Sequence, residues 1–287
     1  MTTLPAGTAR PVAPAAAPSE RAVLVAVALG AMLMPLNSTM VAVALPDVGH
    51  SFHDGIAAVS WLVTSYLIAM AALQPVAGKL GDRLGRRPLV LGGLWAFGVA
   101  SVIAPAAPSL AVLIALRVAQ AAAGALVFPN AMALLRELLP EHRRAAGFGM
   151  FGAAIGIAAA AGPPIGGLLV GLFGWQGIFA VNVPMVAAAL VLGRRALVAR
   201  PRPAGVSAPF DALGAGLLCV VLADVALLLN PGAIGSGGRA AAAVALLPLL
   251  VLFARRELGH PDPVLQPRLL RRVPFAAATA GVGLSNL

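Results

Sequence analysis

The sequence predicts an all-helical protein that crosses a membrane many times, and three observations predict it. The 287-residue chain is 60% hydrophobic and only 10% charged, with a mean hydropathy of +0.94, whereas a typical water-soluble domain carries about 25% charged residues. Eight apolar runs meet the length that a helix needs to cross a hydrocarbon core, roughly 20 residues for about 30 Å. The basic residues cluster in alternate connections between those runs, the charge asymmetry of an inserted membrane protein.

The runs lie near residues 22–46, 56–78, 88–107, 110–135, 145–173, 175–193, 212–230 and 238–254. A ninth opens at Pro274 and is still apolar at Leu287. At about 1.5 Å per residue that stretch spans roughly 21 Å, short of a full crossing, so the ninth helix is expected to be truncated. Residues 1–20, rich in Pro and Ala without periodicity, read as a disordered cytoplasmic tail. The first apolar run is too long for a signal-peptide core and further spans follow it, which argues against cleavage. Residues 21–200 then form a six-helix unit and 201–254 a two-helix insert entered through a basic, Pro-containing linker. Residues 255–287 hold a second linker and the start of the ninth helix.

A net charge of +10 invites nucleic acid as a partner, but only a clustered patch would support that. With the N-terminus inside, eighteen of the twenty basic residues fall in cytoplasmic segments, leaving Arg239 outside and Arg117 within a span. The charge therefore sets topology in a cell membrane and calls for no nucleic acid. Cys219 is the single cysteine and lies in an apolar run, which excludes a disulfide framework and a cysteine zinc site. No metal or other cofactor is called for. Intramembrane hydrolysis would need a Ser/His pair or two aspartates within spans, yet the four histidines and every acid but Asp224 read as tail, loop or span-edge residues. The phosphate-cradling G-x-x-x-x-G-K-[ST] loop of an ATP-driven pump is absent too, since Leu80 follows the only lysine, Lys79. The chain reads as a non-enzyme.

Four stretches carry a family resemblance. "GKLGDRLGRRP" (78–88) sets Asp82 among Arg83, Arg86 and Arg87, with Gly78, Gly81 and Gly85 free to turn tightly. "WLVTSYLIAMAALQP" precedes it, "RVAQAAAGA" opens at Arg117, and "GIAAAAGPPIGG" runs from Gly156 to Gly167. Together these resemble the major facilitator superfamily. "LNSTMVAVALP" (36–46), "FGWQGIFAVNVP" (173–184) and the two-span insert resemble its fourteen-helix drug:proton antiporter branch.

The resemblance implies the N-terminal six-helix bundle of that fold, two inserted helices and the start of a ninth. It implies a multidrug efflux protein that rocks between two bundles, with a small-molecule substrate and protons as partners, alongside the lipid bilayer and a missing C-terminal bundle. On that mapping Gly78, Asp82, Arg83, Gly85, Arg86 and Arg87 form a gating loop that latches the cytoplasmic side. Gly156, Gly162, Pro163, Gly166 and Gly167 form the exporter motif, in which small residues and Pro163–Pro164 permit a kink and close helix approach. A half-length product without transport of its own, and a metabolite importer, are the alternatives.

Arg117 stands in "LIALRVAQ", otherwise apolar until Gln120. Counting about 1.5 Å per residue puts it roughly 11 Å from Leu110, near mid-membrane. A central arginine costs about 2.5–3.5 kcal/mol to insert even on lenient scales, so it needs a partner or a cavity. Backbone carbonyls would make it structural; the resemblance places it in the proton-coupling region with Gln120. The family pattern puts an aspartate on the first helix, but here the residue is Asn37, roughly 14 Å from Pro46 and level with Arg117. A later asparagine of the pattern is Ala42. Asn37 accepts a hydrogen bond but carries no proton. Three explanations remain open: an acid in the unseen bundle pairs with Arg117 and carries the proton, Arg117 faces an anionic substrate, or Asp224, the one acid inside a span, titrates. Tyr66 either lines the pathway or anchors the interface, and Trp61 reads as an interfacial anchor.

Overall fold

With no water in a hydrocarbon core, backbone N–H and C=O groups must bond within their own segment, and apolar runs of this length therefore fold as helices. A computed structural model describes residues 20–197, 211–229, 234–261, 263 and 264. Residues 1–19, the linker residues 198–210 and the ninth run at 274–287 lie outside those residues. The described residues form helices α1 (Glu20–Phe52), α2 (Ile56–Val59), α3 (Trp61–Leu84), α4 (Arg86–Ile103) and α5 (Leu110–Leu138). They continue with α6 (Glu141–Phe173), α7 (Gln176–Ala180), α8 (Asn182–Ala196), α9 (Ala212–Leu229) and α10 (Ser236–Gly259). With α2 joined to α3 and α7 to α8, eight helical segments are long and apolar enough to cross a membrane.

Most spans are longer than their apolar runs, because hydropathy marks the lipid core while the helix runs on into the polar interface. The stretch 78–88 is the clearest correction. It is not a loop: α3 continues to Leu84 and α4 begins at Arg86. The break is Gly85 alone, whose φ of 94° favours glycine. Gly78 and Gly81 sit inside α3, and Gly81 serves close packing, since a Cβ there would lie 1.6 Å from Asn130 Oδ1 on α5. Asp47, His50, Glu137, Glu141, His142 and Glu257, read as tail or loop residues, likewise lie on helix ends. The second linker begins later than residue 255, since α10 continues to Gly259.

In the bundle, α1 packs against α6, α8 and α5, α5 against α3 and α4, and α4 against α8. Two apolar clusters fill it. One, at the end bearing the basic residues, includes Val27, Leu33, Phe97, Leu135 and Phe151. The other fills the opposite end around Met40, Leu62, Leu113, Ile178 and Phe179. Trp175 closes that far end, donating to Ser51 Oγ at 3.1 Å and meeting Phe52 with ring centroids 5.7 Å apart. The hairpin α9–α10 joins the bundle through α3, where the Cys219 thiol points at the Ala72 carbonyl, 3.4 Å away.

The exporter-motif glycines divide between two faces of α6. A Cβ on Gly162 would lie 1.7 Å from Thr39 Oγ1, and one on Gly166 would lie 3.0 Å from Met40 Cα, so these two let α1 and α6 touch. Gly156 and Gly167 of the motif, and Gly152 one turn before it, point into open space with nothing within 4 Å, and are no part of this contact. The helix runs unbroken through Pro163 and Pro164, both exposed.

Candidate functional site

The two apolar clusters meet at a polar belt. On α1, Asn37 lies between Met34 of one cluster and Met40 of the other; on α4, Ser101 lies between Phe97 and Ala104. Arg117 and Gln120 on α5 follow Leu113 of the far cluster, and Asn182 opens α8 between Phe179 and Val186. All five side chains belong to residues with 0% exposure. Groups buried this deeply must bond to one another or bear the cost of desolvation.

They form one directed network. Arg117 Nε donates to the Leu62 carbonyl at 3.2 Å. Its Nη1 donates to Gln120 Oε1 at 2.9 Å and also to Asn37 Oδ1, so the two residues that the sequence placed at one depth do touch. Gln120 Nε2 donates to Ser101 Oγ at 2.8 Å, Asn182 Nδ2 donates to the same oxygen at 3.4 Å, and Ser101 donates to the Phe97 carbonyl at 2.8 Å. Tyr66 covers the guanidinium, its ring centroid 4.2 Å from Arg117 Cζ, a cation–π contact of about 0.5–2 kcal/mol. Tyr66 is thus a buried neighbour of Arg117 and not an interfacial anchor.

Every partner of the guanidinium in this network is neutral. Asp224 is not among them: it sits on α9, where its Oδ2 is buried with no hydrogen-bond partner among the described residues. Arg117 Nη2, Asn37 Nδ2, Tyr66 Oη and Asn182 Oδ1 are likewise buried without a partner among the described residues. Sequence reasoning missed Ser101 and Asn182. The available signal was a lone polar residue partway along an apolar run, the same signal that exposed Arg117, but a serine or asparagine is too cheap to bury to stand out.

At the basic end the predicted gating residues are brought together with an acid that sequence reasoning did not pair with them. Arg86 bonds Asp82 at 2.7 Å and Glu137 of α5 at 3.1 Å, while Arg87 donates to the Arg194 carbonyl of α8 at 3.2 Å. Asp82 is 59% exposed, so its pair with Arg86 contributes little to stability, about 0–1 kcal/mol. Asn130 ties the same region of α5 to α3, donating to the Ala77 carbonyl at 3.0 Å.

A further ion pair, with a buried acid and also unforeseen, closes the α9–α10 hairpin. Asp211, 1% exposed, accepts from Arg256 Nη2 at 2.9 Å and from the Gly214 N–H at 2.9 Å, with His260 Nδ1 3.9 Å away. Burial pushes the Asp211 carboxyl upward, but the hydrogen bonds from Arg256 and Gly214 and the charges of His260 and Arg256 outweigh it, and its pKa lies below the usual value. A lowered native pKa means stability that is present above the ordinary carboxylate range, about 3.9, and lost as pH falls through the lowered value. Asp211→Asn is therefore expected to cost about 1–3 kcal/mol at neutral pH, nearer the low end because Arg256 is 38% exposed. Thermal unfolding of the full-length protein checks this: the gap between wild type and variant should persist at neutral pH and narrow below about pH 4.

These features define a class: a multi-pass helical membrane protein with a charged polar centre inside one bundle. The chain belongs to the Major Facilitator Superfamily, whose pattern it matches over residues 27–285. It is 40% identical over 270 residues to an uncharacterized MFS-type transporter of Bacillus subtilis, covering 93% of this chain and 60% of that protein. It is 37% identical over 264 residues to the tetracenomycin C resistance and export protein of Streptomyces glaucescens, covering 89% and 48%. With the multidrug efflux pump of Mycolicibacterium smegmatis the identity is 32% over 259 residues, covering 89% and 51%. The chain thus spans about half the length of the curated relatives it matches. A solved peptide transporter of the POT family superposes with a TM-score of 0.60 at 15% identity, covering 86% of this chain and 56% of that one, a likeness of fold alone.

Proposed function

We propose that the chain supplies the first helix bundle and the inserted hairpin of a proton-driven exporter of drugs or related small molecules that works by alternating access. The observation that carries this reading is the buried Arg117 at the centre of the bundle. Nature places a permanent charge at such depth at a cost, and in membrane spans such residues mark substrate or ion pathways. Export in place of uptake is supported by the relatives, which include proteins named for tetracenomycin C export and multidrug efflux.

In this reading the N-terminus and the basic end are cytoplasmic. Asp82, exposed and paired among the described residues with Arg86 across the Gly85 break, stands ready to latch a second bundle, with Arg83 and Arg87 alongside. The open glycines Gly152, Gly156 and Gly167 face that bundle. Tyr66, Asn37 and Gln120 hold Arg117 in place. The belt has no carboxylate, so the proton travels on an acid elsewhere, with Asp224 the candidate in this chain.

The test is cellular. Bacteria lacking their main efflux pumps and expressing the full-length protein should accumulate less of an exported fluorescent dye than control cells, and a proton uncoupler should abolish the difference. Equal accumulation across a panel of charged and neutral dyes would contradict export, and a difference that survives the uncoupler would contradict proton drive.

A further inference from the structure

Arg117 has two different sets of hydrogen-bonding needs, and the structure meets only one. Its Nε and Nη1 are supplied by Leu62, Asn37 and Gln120. Its Nη2, which carries two N–H donors, is buried and has no partner among the described residues. The next two unmet groups adjoin it: Asn37 Nδ2, on the same amide that Nη1 grips, and Tyr66 Oη, on the ring that covers the guanidinium. Gln120 Oε1 and Asn37 Oδ1 both serve Nη1, Ser101 Oγ receives Gln120 and Asn182, and no hydrogen bond joins Nη2 to Asn182 Oδ1, the belt acceptor without a partner among the described residues.

What remains beside the positive charge is Arg117 Nη2 and Asn37 Nδ2, both donors, and the Tyr66 hydroxyl, which can donate or accept, with no carboxylate in the belt among the described residues. A cation finds only repulsion there, and a neutral molecule leaves the charge unbalanced. An oxyanion satisfies both demands, and a carboxylate best, because its two oxygens meet two N–H donors at once. The apolar clusters on either side are closely packed in the state described here, so the body of such a molecule is received only when the bundle opens. We infer that the protein takes small organic anions, with the carboxylate of the substrate received by Arg117 Nη2 and Asn37 Nδ2. This rests on the reading of the chain as part of a small-molecule transporter and names the substrate class for it. In the state described here the Tyr66 ring closes over the guanidinium, so entry requires that ring to swing aside.

Asn37→Asp tests the assignment, because it places a carboxylate on Arg117 from within the protein at nearly unchanged size. Equilibrium binding of benzoate and of benzylamine to the purified full-length protein in nanodiscs is the measurement, made by calorimetry with no gradient present. Wild type should bind benzoate and not benzylamine. Asn37→Asp should weaken benzoate on the order of tenfold or more, the worth of one charged hydrogen bond, whereas Asn37→Ala, which leaves the positive charge unbalanced, should keep the preference for the anion. No binding of benzoate by wild type, equal binding of both probes, or a benzoate affinity unmoved by Asn37→Asp would each overturn the inference. Because the reading is at equilibrium, failure of proton-driven export would leave this result standing, and the reverse also holds.

Discussion

Gly162→Ala is expected to destabilise the bundle by about 1–3 kcal/mol, the usual cost of forcing extra volume into a packed contact. The added methyl would lie 1.7 Å from Thr39 Oγ1, 2.7 Å from Thr39 Cβ and 3.2 Å from the Leu36 carbonyl. The hydroxyl cannot simply turn away, since the Cβ and the carbonyl belong to the α1 frame, so α6 must move off α1. Thr39→Ala in the same chain removes the nearest atom and should recover part of the loss. Gly156→Ala on the same helix meets nothing within 4 Å and should leave bundle stability unchanged or slightly raised, alanine being the better helix former. Thermal unfolding of the detergent-purified full-length protein separates the three. A transport defect in Gly156→Ala without a stability defect would then place that glycine at a contact with the rest of the protein.

Arg117→Gln should have the largest effect on transport. The change removes the charge, strips the Leu62 carbonyl and Asn37 Oδ1 of their donor, and takes the cation from beneath Tyr66. Losing charged hydrogen bonds of about 1.5–3 kcal/mol each predicts a fall in substrate exchange of roughly tenfold to hundredfold. Arg117→Lys should rescue little. An ammonium keeps the charge but lacks the planar fork that reaches three acceptors from one side chain. Exchange of labelled substrate across liposomes at equal concentration, normalised to folded protein, checks both variants.

Much of this was legible in the sequence, and the residues show why. Eight spans were readable because twenty apolar residues in a row have one physical solution in lipid. The pairing of Asn37 with Arg117 followed from counting residues down two helices, since α-helical rise converts sequence position into depth. The helix ends were not readable: hydropathy falls where the lipid core ends, and Asp82, Glu137 and Glu257 lie beyond it while still helical. Gly81 was read as a turn glycine and is a packing glycine against Asn130, because a sharp turn and a close approach make the same demand, the absence of Cβ. Asp211 and Arg256 are 45 positions apart in sequence, and no local pattern announces a contact of that kind.

The most direct test of the central claim, that Arg117 is the working centre of a proton-driven transporter, uses the purified full-length protein in liposomes under an imposed pH gradient. Wild type should move substrate against its concentration only while the gradient lasts, and Arg117→Gln, still folded by thermal unfolding, should not. Gradient-driven flux that is undiminished in Arg117→Gln would contradict the account and leave the arginine a structural residue of the bundle.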